Sequence, residues 1–596
     1  SDRQLDTKER RRYELKLSKA PNMRTAIIAL IAIFGIASGL TALGAEIKVT
    51  DVASLRACVS GNSIPGGSTS PDVGRTAGPG DTCVIFDGVY DLGTTPLVVT
   101  VENLIVRSMN GATATIIQGN VNGALINIIV RGVTFGGPAA DQGFTVTNAN
   151  PGGGVGLCVT ENAALVAGGV FPNPCTNAAI APFWVITPAG AGIAQENIAI
   201  QNNRFLNNGE EGVVFWYNNT TAIDTIRILG NTFIQNGGAG LVFGSTVGAI
   251  GRRGLDRNVV IEGNTFDTNV QGDAANFPAL PAPNDCDLDT AAIHFCNTGT
   301  VEQVGIVNNT ILRNGRVGNL AGDAGTPTAG IGTHGILFDQ GIIEIRDMLI
   351  DSNVIHQNTG NGIKFDYRGR LGENVIISNN ARGAQGITQN GPTAAVLAAA
   401  TGFAEGNGIY ITANVTEVRN VKFVGNVING NRGQDRRQFA APAFPLAKGA
   451  AYRPCRYGNG ISMENDGRIE DVTFDGNDVR QNFNNGVCIA NRGDFTRSQV
   501  LNNKFHNNGF GEPIAAGGAQ QAPYGDGFGV YHDQTLINPN VAVALGIDGF
   551  RIEGITFSGN DYRENGQHRG GVCARPGAPA QPPSCAAANG VYFGLG

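Results

Sequence analysis

This sequence is short of charge. Asp, Glu, Lys and Arg make up 15% of its 596 residues, against about 25% in ordinary globular chains. Long amphipathic helices need a charged outer face, so that scarcity argues against them. Aromatics amount to 7%, with only two Trp. No Cys-x-x-Cys occurs, which leaves a structural zinc site without its usual close-spaced ligands. The phosphate-cradling loop that ends in Gly-Lys-Ser/Thr, the helical metalloprotease motif and the serine nucleophile elbow are also missing, which removes the chemistries they serve.

What is present points to strands and turns. There are 86 Gly and abundant Asn, yet 42% of residues are apolar, enough to fill a core and too many for a disordered chain. Residues 23–45 read as a secretory signal: Met23-Arg24, an apolar stretch from Ala26 to Leu43, then small residues to Ala45. Residues 1–22, with Arg10-Arg11-Arg12, read as upstream sequence or a cytoplasmic segment. No stable membrane span is expected once the signal is removed. Residues 1–45 hold eight Lys/Arg and four Asp/Glu of the chain's 42 and 49, so 46–596 carries a net charge of −11. Such a balance speaks against nucleic acid as partner. Ten cysteines behind a secretory signal read as disulfides. The simplest pairing joins sequence neighbours: Cys58/Cys83, Cys158/Cys175, Cys286/Cys296, Cys455/Cys488 and Cys573/Cys585.

One phrase recurs along residues 46–596: a short β-like run, Gly or Asn before Asn, a second short run, then Gly-Ile/Val and alternating residues. Examples are Ile226 to Asn236, Val259 to Phe266 and Val472 to Asn477. The period is roughly 22–28 residues at its shortest, within the solenoid range. Short strands that alternate in and out cannot bury their apolar faces alone, but stacked coils can. The corner residues Asn202 or Asn203, Asn231, Asn264, Asn309, Asn353, Asn379, Asn426, Asn477, Asn503 and Asn560 suit a left-handed bend and an amide ladder. About eleven coils would make a rod some 50–60 Å long.

These phrases resemble the pectate-lyase-like right-handed parallel β-helix superfamily, over nearly all of 46–596. The resemblance implies a single all-β domain of three parallel sheets, with the Asn ladder between the second and third. It places the Gly-Ile/Val strands in the first sheet. Thr50 to Cys58 reads as an N-capped helix closing one end of the core, and Cys58–Cys83 would staple it there. At the other end, Ala588 to Gly596 offers a strand edge to which a second copy could stack end to end.

Long loops at 270–290, 315–333, 383–406, 431–458, 510–527 and 567–588 fall just before the Gly-Ile/Val strands, as if lining a groove beside one sheet. Alternation gives two outward columns. The first runs Val214, Val242, His294, Leu337, Lys364, Tyr410, Ser462, Cys488, Tyr531, Tyr592; the second runs Trp216, Gly244, Cys296, Asp339, Asp366, Thr412, Glu464, Ala490, Asp533, Gly594. Asp339 and Asp366 fall on neighbouring coils, about 5 Å apart at the backbone. Such a pair shares a proton, flanks a sugar, or binds a cation, with Ca²⁺ held by Asp339, Asp366 and Glu464. In a lyase, Ca²⁺ or Arg368 would neutralise a uronate while Lys364, Tyr410 or His294 takes the proton; in a hydrolase the Asp pair would do the work. Trp216 and Tyr531 are candidates for sugar stacking. The plain structural alternative is an exposed ion ladder, with Lys364 diagonal to both aspartates.

Phe528-Gly-Val-Tyr-His532-Asp533-Gln534-Thr535 is similar to the active-site run of mannuronan C5-epimerases, with Val530 in the place of the catalytic Asp. The expectation is a secreted β-helix that binds or processes an acidic polysaccharide by elimination or hydrolysis. Its alternatives are a non-catalytic adhesin or filament subunit and, less favoured, an epimerase.

Overall fold

The computed structural model describes residues 44–121, 123–148, 154–159, 195–217, 222–245, 255–270, 291–296, 299–315, 333–339, 341–379, 386–390, 403–404, 406–432, 434–435, 455, 458–465, 467–491, 493–509, 527–532, 551–563, 565 and 591–595. One coil runs through Ala222–Leu229, Thr232–Ile234 and Leu241–Ser245. Each strand pairs in parallel with its counterpart one coil on: Ile226 with Val259, Phe233 with Phe266, Phe243 with Phe295. Repetition builds sheet 1 (13 strands, including Leu241–Ser245), sheet 2 (17 strands, including Ala222–Leu229) and sheet 3 (13 strands, including Thr232–Ile234). Sheet 2 counts more because some coils split their strand: Arg468–Glu470 and Thr473–Asp475 both pair with Glu417–Val424. Sheet 1 extends beyond the coils marked by Asn phrases, since Leu97–Val99, Gly123–Ile128 and Gly154–Val159 precede the first of them. The chain is a right-handed, three-sheet parallel β-helix, the hand that right-twisted strands favour. Among the described residues no helix is long and apolar enough to cross a membrane.

Because like stacks on like, the core is columnar. Phe215, Phe243, Phe295, Phe338 and Phe365 stack with ring centroids 4.7–5.0 Å apart, matching the spacing of hydrogen-bonded strands. Helix α1 (Val52–Ser60) closes the N-terminal end. Asp51 caps it, accepting from the Ser54 amide while the Ser54 hydroxyl meets the Asp51 amide, and Cys58–Cys83 ties it to the first coil.

The bends correct one expectation. The left-handed residue is the one before the ladder Asn at every bend but that of Asn379: Asn202, Gly230, Gly263, Asn308, Ser352, Gly425, Gly476, Asn502 and Gly559 have φ between 54° and 67°. The ladder Asn serves hydrogen bonding alone. Asn231 donates to the Asn264 side-chain oxygen from its backbone (2.8 Å) and its amide (3.1 Å), and also to the Ile200 carbonyl (2.7 Å). The pattern repeats from Asn203 to Asn560, except that at Asn379 only the backbone N–H donates to the next rung. A second ladder, from Asn148 to Asn565, follows at the bend into sheet 1. A third joins Asn361, Asn407, Asn459 and Asn485 with the opposite hydrogen-bond direction, and its first member donates to His334 Nδ1 at 2.9 Å. Glycines follow this third ladder because the coils touch there: a Cβ on Gly335, Gly362, Gly408 or Gly460 would lie 2.6 Å from the next coil's carbonyl oxygen.

Candidate functional site

Strand register fixes the outward face of sheet 1. From Val214 to Cys488 both columns stack as alternation requires. Beyond Cys488 the register differs from the expectation by two residues. Cys488 pairs with Gly529, and Tyr531 joins the second column beside Ala490; Asp533 lies outside the described residues. Gly527 and Gly529 satisfy alternation equally well. Gly527 takes the glycine position because its carbonyl packs under Gly486, 2.6 Å from where a Cβ would stand. The side chains of Trp216 and Tyr531 are outside the described set. Val530, in the epimerase-like run, is 1% exposed in the core, and His532 pairs in register with Asn491.

The first column is not the floor of an open groove. His294, Lys364, Tyr410 and, in the second column, Glu464 are all buried. The cover is visible at one point, where Cys455 is bonded to Cys488. The Cys455 carbonyl accepts from Asn459 Nδ2 at 2.8 Å and from the Ser462 hydroxyl. This part of the 431–458 loop folds onto the sheet instead of standing beside it. Most of the other long loops lie outside the described residues. Asp339 and Asp366 are half-buried, and Arg368 and Asn414 are exposed.

The ion pair expected to form an exposed ladder is instead a buried contact within one strand end. Lys364 Nζ lies 3.1 Å from Asp366 Oδ2 and 5.9 Å from the centre of the Tyr410 ring. The Tyr410 hydroxyl donates to Glu464 Oε2 at 2.9 Å. Asp366 Oδ1 accepts from Thr412 Oγ1 (2.8 Å) and Asn414 Nδ2 (2.7 Å). Burial pushes the Asp366 carboxyl up, but the Lys364 charge and the Asn414 and Thr412 bonds outweigh it and hold the group below its ordinary 3.8. Asp366 is therefore an anion at neutral pH.

Asp339 faces His294, Nε2 to Oδ2 at 3.5 Å. The three acids expected to share a cation thus turn to different partners: Asp339 to His294, Asp366 to Lys364, Thr412 and Asn414, Glu464 to Tyr410. Among the described residues the group of three metal-donor side chains brought together is His294, Cys296 and Asp339. Cys296 is disulfide-bonded; Cys286, its expected partner, lies outside the described residues, as do Cys175, Cys573 and Cys585. His334 was not singled out by sequence. Its neighbour Asn361 stands before Gly362 as His334 stands before Gly335, and that shared position was the available signal.

No protein-family model matches the chain, and no curated protein matches it. Solved structures do. The catalytic unit of a thermostable GH87 alpha-1,3-glucanase from Streptomyces thermodiastaticus shares 13% identity over 88% of this chain and 70% of its own, with a TM-score of 0.33. A mannuronic acid specific polysaccharide family 6 lyase from human gut microbiota shares 10%, over 85% and 91%, at 0.31. Pectate lyase Pel9A shares 12%, over 83% and 76%, at 0.23. At these identities the likeness is one of fold.

Proposed function

We propose that the chain is a secreted polysaccharide-binding β-helix that hydrolyses its ligand at the outward face of sheet 1, with Asp366 and Asp339 as the paired carboxylates. One observation carries the reading. Asp366 is held ionised by Lys364, Thr412 and Asn414 while 26% of its side chain still meets solvent, one coil from Asp339. Neighbouring coils set the two backbones about 4.8 Å apart, a spacing compatible with the roughly 5–5.5 Å between carboxyl groups in double displacement at a sugar. Asp366 suits the nucleophile or base, and Asp339 the acid. Lys364 orients and neutralises; its ammonium lies over the Tyr410 ring, whose hydroxyl is held by Glu464. Arg368, exposed at the strand end, would meet a carboxylate on an acidic glycan, and Trp216 and Tyr531, which hold second-column positions on the same sheet, are the residues proposed to stack on sugars.

A second reading, a non-catalytic surface or matrix protein, draws on the burial of Lys364, Tyr410 and Glu464, whose polar contacts already engage one another. A panel of alginate, pectate, glycosaminoglycans and neutral glucans, with and without Ca²⁺, separates the readings. New reducing ends without ultraviolet absorbance, lost in Asp366→Asn, are expected. Ultraviolet-absorbing products would assign β-elimination instead. Neither cleavage nor retention of any glycan would leave the surface-protein reading standing.

A further inference from the structure

His294 and Cys296 are two apart on one strand, so both side chains leave the same face of sheet 1. Asp339 follows one coil on, beneath Cys296, its amide bonded to the Phe295 carbonyl at 2.9 Å. The donor atoms of the three lie within 4.8 Å of one another. His294 is wholly buried; its Nδ1 has no hydrogen-bond partner and its Nε2 meets the Asp339 carboxylate only at 3.5 Å, too long for a good hydrogen bond, a condition folded chains rarely tolerate without cause. Imidazole, thiolate and carboxylate are the ligand types of zinc centres that keep a fourth position open. One donor is withheld, because the Cys296 sulfur is in a disulfide.

We propose that reduction of the Cys296 disulfide opens a redox-gated site for Zn²⁺ or a similar borderline divalent ion, bound by His294 Nε2, Cys296 Sγ and an Asp339 oxygen. The proposal stands without the glycan reading. A dithiol supplies two electrons and two protons to the sulfur–sulfur bond and leaves as its own disulfide, giving two protein thiols. The Cys296 thiol then releases its proton as the sulfur binds the ion, while neutral His294 binds through a ring lone pair. In the oxidised chain no thiolate exists at this corner, and imidazole plus carboxylate alone hold the ion weakly.

The test uses the full chain and Zn²⁺ in competition with a chromophoric chelator, before and after treatment with dithiothreitol and anaerobic desalting. Reduced protein is expected to bind Zn²⁺ at least about tenfold tighter than oxidised protein, and His294→Ala to lose that gain. The chain has 10 Cys, so thiols elsewhere are a source of binding; reduced His294→Ala binding as tightly as the reduced parent would overturn the site. Reduction itself can unfold the chain, so Cys296→His is the second variant. It places an imidazole where the sulfur stands and is expected to bind Zn²⁺ without reductant. A Cys296→His protein with the parent's circular dichroism and no such binding refutes the assignment.

Discussion

His334 ends the third ladder, and its chemistry makes the fold sensitive to acid. It is fully buried, and its Nδ1 accepts the Asn361 amide at 2.9 Å. The proton of the neutral ring is therefore on Nε2, which has no hydrogen-bond partner. Burial lowers its pKa well below 6.5, and the Lys364 charge and His294 lower it further. In the unfolded chain the imidazole titrates near 6.5, so the unfolded state takes up the proton first as pH falls. Stability is complete above 6.5 and declines below it, until the folded ring also protonates. From pH 7.5 to 5.5 a group neutral in the fold and titrating at 6.5 when unfolded costs about 1.4 kcal/mol. His334→Asn would offer Asn361 a side-chain oxygen and extend the ladder by one rung, with no charge to gain. Urea unfolding followed by circular dichroism at both pH values, for parent and variant, isolates the term; His356, also lowered by burial, contributes equally to both. The variant is expected to lose about 1.4 kcal/mol less than the parent. Equal losses would mean that His334 does not titrate between the two states, and the reasoning fails.

Three further outcomes follow from the same contacts. Asn309→Leu strands the Asn264 amide and the Ile261 carbonyl, now bonded at 2.9 and 2.8 Å, and is expected to cost about 3 kcal/mol, read as a shift in urea midpoint at unchanged slope. Gly408→Ala would drive a Cβ to 2.6 Å from both the Gly460 oxygen and Ile428 Cγ2; a loss of about 2 kcal/mol or more is expected in the same assay, and a neutral result would deny the close approach of the coils. Replacing Cys58 and Cys83 by Ser opens a staple of sequence separation 25 and is expected to lower stability by about 2–4 kcal/mol, with hydrogen exchange rising first in α1.

Much of the fold could be read from residue order. Asn203, Asn231 and Asn264 recur before short β-branched or aromatic runs, and the structure strings these same residues into one ladder. The second ladder was equally open to reading, since Asn208, Asn236 and Asn269 each follow the first ladder by five positions. The cap at Asp51 and the link from Cys58 to Cys83 needed no more than local sequence and a shared compartment. The candidate site was legible as columns and illegible as an environment. Alternation says that Lys364 and Tyr410 point away from the core, but it does not say what lies over them, and both are buried.

The repeat itself is local chemistry. A two-residue period, a left-handed bend and an amide that bonds the next coil are properties of short stretches of chain, so the coil, its three sheets and the vertical ordering of side chains follow from sequence alone. Tertiary structure decided whatever depends on a neighbour from another coil or loop: that Gly527 and not Gly529 packs beneath Gly486, that Asp366 accepts from Thr412 and Asn414 while Asp339 turns to His294, and that Cys455 closes over Ser462. Those choices are settled by packing and desolvation among residues far apart in the chain, and no periodicity encodes them.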